Sequence, residues 1–238
     1  MEFRLLKASE IDVRVGSVSK KGATLLLYKD ARCDMAILDE TVGPLNWQRH
    51  HSRDNANCTV AIWDEKKKQW VEKEDTGTES FTEKEKGLAS DSFKRACFNV
   101  GIGRELYTGP RIFIPCGTQP KSGGRGYELT NPFEFYGVSV KEIDYKDRAI
   151  SKLVLEKDGN EIFTWSAGSA PKSSHKPSKA APPPASDDDL KEIERLAKEK
   201  NIPLIDICSM AGVVEIGELE DARRKNCIAW LNEQEVRA

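Results

Sequence analysis

From Ser166 to Ser186 the chain reads SAGSAPKSSHKPSKAAPPPAS. This stretch holds no Leu, Ile, Val, Met or aromatic residue, so it has nothing to bury against the entropy cost of becoming ordered. Its Pro, Ser, Ala and Lys content predicts a flexible linker. It divides the 238 residues into a body, 1–165, and a tail, 187–238. The body is long enough for a core of its own, while a tail of about 50 residues lies near the lower size for independent stability. No internal repeat is visible.

Charge follows the same division. The tail carries 8 Lys and Arg against 13 Asp and Glu, and the body 26 against 26. A neutral body means that any surface for an anion must be a local patch. No apolar run approaches the roughly 18 residues that a membrane span needs. The opening MEFRLLKASE has no basic stretch followed by an apolar core, so a cytoplasmic protein is expected. The cysteines (Cys33, Cys58, Cys97, Cys116, Cys208, Cys227) stand singly, and the histidines are His50, His51 and His175. Without C-x-x-C spacing, neither a zinc site nor a disulfide framework is expected, and the cysteines read as reduced and structural.

Within the body, EIDVRVGSV alternates Ile11, Val13 and Val15 with Asp12 and Arg14, which predicts a strand. SKKG is a turn and ATLLLYK a second strand, so the two form a hairpin. DARCDMAILDETVG places Cys33, Met35, Ile37, Leu38 and Val42 at helical spacing behind a possible Asp30 cap, and Gly43-Pro44 ends it. NWQRHHSR, NCTVAIW and QWVEKEDTG predict three further strands. A helix follows over GLASDSFKRACFNV. PRIFIPC, YGVSVKEIDY and KLVLEKDGNEIFTW, turning at Asp158-Gly159, complete the strands. The order β-β-α-β-β-β-α with a strand-rich end predicts an α+β fold: an antiparallel sheet with helices on one face.

In the second helix Leu88, Phe93, Ala96, Cys97 and Val100 form the stripe that would face the sheet. Lys86, Lys94 and Arg95 lie off it. A turn of about 100° per residue puts Lys94 close to the face of Lys86. Two adjacent cations near a helix C-terminus also suit the macrodipole, although a plain solvated face has the same pattern. Gly101 can take the left-handed conformation that stops a helix. GIGRELY lacks the G-x-G-x-x-G spacing and follows a helix, so it is not a dinucleotide fingerprint. No P-loop is present, and ATP is not expected. Asp39-Glu40 and Glu72, Glu74, Asp75 could suggest a metal-dependent nuclease, but such runs are more often solvated. His50-His51 reads as plain surface. Trp47, Trp63 and Trp70 could stack on bases, against the commoner fate of burial in a sheet.

YKDARCDMAILDETVGPLNWQ, the strands after it, and EKEKGLASDSFKRACFNVGIGRELY together resemble the annealing core of the Rad fifty-two/Rad twenty-two family of DNA single-strand annealing proteins. The likeness is strongest to the bacterial and phage (Sak-like) branch. It covers roughly Ile11 to Ile114: an Arg opening a helix that ends in G-x-x-x-W, a strand meander, then S-D-x-x-K-R-A and G-I-G-R-x-L-Y. The resemblance implies a homo-oligomeric ring that binds single-stranded DNA in a basic outer groove, phosphates inward and bases exposed. It implies DNA contacts at Arg32, Lys94 and Arg95, with Lys86 at a second, outer site. Phe98 stands where eukaryotic members carry a further Arg, so the resemblance implies fewer phosphate contacts here. No catalytic residue, cofactor or metal is implied.

In the tail, DDDLKEIERLAKEKNI, PLIDICSMAG and ELEDARRKNCIAWLNEQ predict three helices. Their acidity argues against direct DNA contact and suits a protein partner, such as the host single-strand binding protein or a phage exonuclease, or else an oligomer-stabilising or solubilising appendage. The function expected is ATP-independent single-strand annealing without enzymatic turnover. A sequence-tolerant single-strand binding protein and a metal-dependent nuclease are the alternatives.

Overall fold

Helix α1 (Ala31–Val42) explains why the strands split into separate sheets. Strands β1 (Asp12–Ser19) and β2 (Gly22–Tyr28) form the expected hairpin. Asp30 then caps α1, its carboxylate accepting from the Cys33 N–H at 2.8 Å. Twelve helical residues carry the chain about 18 Å away, and Gly43 turns it with φ 85°. The meander β3 (Trp47–Ser52), β4 (Asn57–Asp64) and β5 (Gln69–Thr76) therefore forms its own three-stranded sheet. Helix α2 (Lys84–Val100) lies across β4 and β5 and touches α1.

The edge of β2 is taken instead by β6 (Ile112–Ile114), with Ala23 opposite Ile114. A short ribbon, β7 (Thr118–Pro120) with β8 (Tyr127–Leu129), follows. The strands β9 (Ser139–Lys146), β10 (Ala149–Lys157), β11 (Asn160–Ser166) and β12 (Lys172–Ser173) complete a seven-stranded antiparallel sheet in the order β12-β11-β10-β9-β1-β2-β6. β6 also lies against β11, which brings the sheet close to a closed barrel. The fold is thus α+β with antiparallel sheets. The single sheet with helices on one face is corrected to two main sheets and a ribbon.

The computed structural model describes residues 1–78, 84–121, 123–175, 188–211, 213, 215–219 and 221–234, with residues 84–86, 218 and 221–222 described in backbone alone. One core joins both main sheets to the helices: Leu25, Ile37, Leu38, Val60, Phe93, Ala96, Cys97, Ile114, Leu153 and Phe163 are all buried in it. Of the α2 stripe, Phe93, Ala96 and Cys97 are buried, and Leu88 and Val100 are half-buried. The six cysteines are free. Burial raises the thiols of Cys33 and Cys227 to about 12 and those of Cys58 and Cys116 to about 11, so they stay protonated and unreactive at neutral pH. Among the described residues no helix is long and apolar enough to cross a membrane.

The linker boundary expected at Ser166 falls inside the sheet. Ser166 pairs with Lys152, Lys172 pairs with Thr164, and the His175 ring lies 2.6 Å from the Glu134 carboxylate. Backbone pairing at a sheet edge orders this segment without any apolar side chain. The remainder of the expected linker, 176–186, lies outside the described residues.

The three tail helices form as α3 (Asp188–Glu199), α4 (Leu204–Ala211) and α5 (Asp221–Glu233). Ile193, Leu196, Ile207, Cys227, Trp230 and Leu231 are buried together with Phe133 of the body. Phe133 stacks on Trp230 with ring centroids 5.1 Å apart, and Tyr136 meets the same indole edge-on at 4.3 Å. Arg223 reaches Glu128 at 3.0 Å, and Asn226 donates to the Thr130 carbonyl at 3.1 Å. A module of this size gains in stability by borrowing apolar surface from its neighbour.

Candidate nucleic-acid interface

The end of α2 decides where its cations point. Ile102 N–H donates to the Cys97 carbonyl at 3.1 Å and Gly101 N–H to the Phe98 carbonyl at 3.1 Å, the paired bonds of a Schellman stop, with Gly101 at φ 114°. The chain then passes Gly103 at φ 77°, where a Cβ would lie 2.3 Å from Lys29 Cε. The positive φ favours glycine there, and the missing Cβ leaves space for the Lys29 side chain. A groove of about 620 Å³ lies between residues 25–29 at the end of β2 and the second half of α2. Lys29, Lys94 and Arg95 line it, with Asp75, Asp91 and Asn99.

Lys94 has an unusual setting for a helix-surface lysine. Its side chain is only 26% exposed, and its nearest carboxylate, on Asp91, is 3.9 Å away. Burial lowers its pKa below the usual lysine range, and the positive fields of Arg14 and Lys29 act in the same direction, opposed by Asp91 and Asp34. Asp91 is also engaged by the Thr78 N–H at 2.9 Å. An ammonium that is short of water gains from an anion placed beside it.

Arg95 is more open, at 49%, and donates to Asp75 at 3.3 Å. Asp75 is held by Asn99 as well, at 3.1 Å. Lys29 is buried against Asp34 in an ion pair. Burial pushes the Asp34 carboxyl up to about 6, with Lys29 pulling against it. The groove lining thus carries three cations, each with a carboxylate neighbour.

Arg14 was not among the residues singled out from sequence. The alternation in β1 puts Asp12 and Arg14 on the face opposite Val13 and Val15, and Arg14 stands across from Leu26 in the hairpin. Its guanidinium lies 3.7 Å from the centre of the Tyr28 ring. That stacking holds the cation near Lys94, with the Asp12 carboxylate within its field. The signal was the outward position of Arg14 beside a strand that ends on an aromatic residue.

Lys94 and Arg95 thus come together in one groove. Arg32 does not line it: it is exposed in the first turn of α1, four residues beyond Tyr28, with no ion pair among the described residues. Lys86 falls in the first turn of α2, and its side chain lies outside the described residues. Phe98 lines the groove and packs edge-on against Tyr107, with Arg104 over its other side at 5.7 Å.

The acidic runs have structural work. Asp39 accepts from the Trp47 indole at 2.7 Å, Glu40 pairs with Arg4, and Glu74 holds Asn57 and Thr59 across the sheet. Among the described residues no three His, Cys, Asp or Glu side chains are placed to hold a metal ion. His51 meets Ser92 at 3.5 Å and His50 meets Gln48 at 3.3 Å. Trp47 stacks on Phe93, while Trp63 and Trp70 form an edge-to-face pair directly across β4 and β5.

No protein-family model matches the chain, and no curated protein or solved structure matches it.

Proposed function

We propose that the chain binds single-stranded DNA in the groove between β2 and α2 and anneals complementary strands without ATP. The observation that carries this reading is Lys94: a partly buried ammonium 3.9 Å from its carboxylate neighbour Asp91, lining a groove with Arg95 and Lys29. Pairing strands breaks no covalent bond. It needs phosphates neutralised, the backbone held extended and base edges left free. The resemblance over Ile11 to Ile114 supports the same role and adds a homo-oligomeric ring, in which the groove of one copy would continue into the next. The strand would pass Arg14, Lys94 and Arg95 and run on toward Arg32, with Lys86 serving a second stretch of DNA. The acidic tail would recruit a protein partner, the host single-strand binding protein or a companion exonuclease.

Titration of the full chain with an oligothymidine at stepped salt concentrations tests this. Affinity should exceed that for a duplex of equal length. With Lys94 and Arg95 each meeting a phosphate, log affinity should fall against log salt with a slope of at least about −1.4, at about −0.7 per phosphate on a single strand. A salt-independent affinity, or a preference for duplex, would remove the electrostatic basis of the reading.

A further inference from the structure

The groove has an apolar wall that phosphates do not use. Tyr107 is 79% exposed and Leu26 56% exposed, and both line the groove with Phe98, Leu106 and Ile112. Apolar side chains grouped at a groove with polar residues around them are the kind of surface that ligands cover. The wall is also rigid. The Phe98 and Tyr107 rings meet edge-on with centroids 4.8 Å apart. Arg104 donates to the carbonyls of Phe98 at 2.8 Å and Asn99 at 2.7 Å, fixing the end of α2. The 3-10 turn Arg104–Thr108 that carries Tyr107 is pinned on both sides. Buried Glu105 accepts from the Leu6 N–H at 2.8 Å, and Thr108 Oγ1 accepts from the Ile150 N–H at 2.8 Å.

Resting on the DNA-binding reading of this groove, we propose that the exposed face of Tyr107, backed by Phe98 and flanked by Leu26, stacks one nucleobase of the bound strand in each subunit. Two features of the site select a nucleobase. Lys94 and Arg95 line the same groove, beside Asp75 and Asp91, so an occupant that offers an anion to the two cations and a flat group to Tyr107 meets both. A nucleotide carries both, joined through one sugar. Any base offers a π-face, so such a contact adds affinity without sequence preference. The base held at Tyr107 is withdrawn from pairing while its neighbours stay exposed, so each subunit would present the strand as a short run of free bases between held ones.

The test is a titration of the full chain with two fluorescent oligonucleotides of equal length: an oligothymidine, and one abasic at every position with the same phosphates. Tyr107→Ala is expected to weaken oligothymidine binding about tenfold, the scale of one lost base–aromatic stack. It should leave abasic binding unchanged, and Tyr107→Phe should restore oligothymidine affinity. The salt slope should be the same for all three proteins, since no phosphate contact is altered. An equal loss on both oligonucleotides, or no loss on oligothymidine, overturns the base site while leaving the groove reading in place. A Tyr107→Ala chain that changes its assembly on size-exclusion chromatography also overturns it, since the wall would then be covered by a second copy. A wild-type chain that binds neither oligonucleotide overturns the groove reading and this site with it.

Discussion

Replacing Lys94 and Arg95 together by alanine is expected to weaken single-stranded DNA binding by at least about fivefold. Two charge-assisted phosphate bonds are worth about 3–6 kcal/mol together. Against that stands the cost of separating each cation from its carboxylate, Asp91 at 3.9 Å and Asp75 at 3.3 Å. Exposed pairs of this kind contribute up to about 1 kcal/mol each. The difference leaves about 1–4 kcal/mol per subunit, or about 5- to 700-fold in affinity. Neither side chain belongs to the buried stripe of α2, and alanine is the best helix former, so the melting temperature should barely move. Asp75→Asn should shift affinity the other way, because it releases Arg95 while keeping a side chain that can still bond Asn99. A wild-type affinity in the folded double variant would show that these cations form an ordinary solvated face.

Phe93→Ala should have the largest effect on stability. Phe93 is fully buried between the α2 backbone and the three-stranded sheet, stacked on Trp47 at 6.0 Å, with the Arg49 guanidinium 5.0 Å from its ring. Truncating a buried phenylalanine costs about 3–5 kcal/mol through lost transfer energy and the cavity left behind. For a chain of this size that corresponds to a fall of roughly 6–20 °C in melting temperature. Phe93 immediately precedes Lys94, so the contact that seats α2 on the sheet also sets the direction of the groove cations. A thermal melt unchanged by Phe93→Ala would mean that α2 does not pack on β4 and β5 through this residue.

Much of the local structure could be read from residue order, because it rests on local chemistry. Asp30 as a cap, Gly43 and Gly101 as stops, and the turn at Asp158-Gly159 act within a few residues of themselves. The stripe of Phe93, Ala96 and Cys97 follows from helical period. What could not be read depends on residues far apart in sequence. Nothing in ATLLLYK says that its free edge will be taken by Ile112–Ile114 and not by the nearer meander. The ordering of residues 166–175 depends on a sheet edge and on Glu134. Phe133 reads as a loop phenylalanine until the tail closes over it.

The site divides in the same way. Lys94 and Arg95 stood out as adjacent cations off an apolar stripe. The pairing of Arg95 with Asp75 did not, since Asp75 comes from β5 and not from the helix that carries Arg95. Lys29 was hidden because its role depends on Gly103 leaving space and on Asp34 meeting its charge. Arg14 looked like one polar position in an alternating strand, and its place by Tyr28 appears only once the hairpin register is known.

The most direct measurement of the central claim is the rate at which two complementary oligonucleotides become duplex in low salt without ATP. Wild-type chain should raise this rate well above the spontaneous one. The Lys94→Ala/Arg95→Ala chain, matched in melting temperature and elution volume, should leave it near the spontaneous rate. A wild-type chain that binds the strands but does not speed their pairing would contradict the annealing role. A double variant that anneals at the wild-type rate would contradict the groove as its seat.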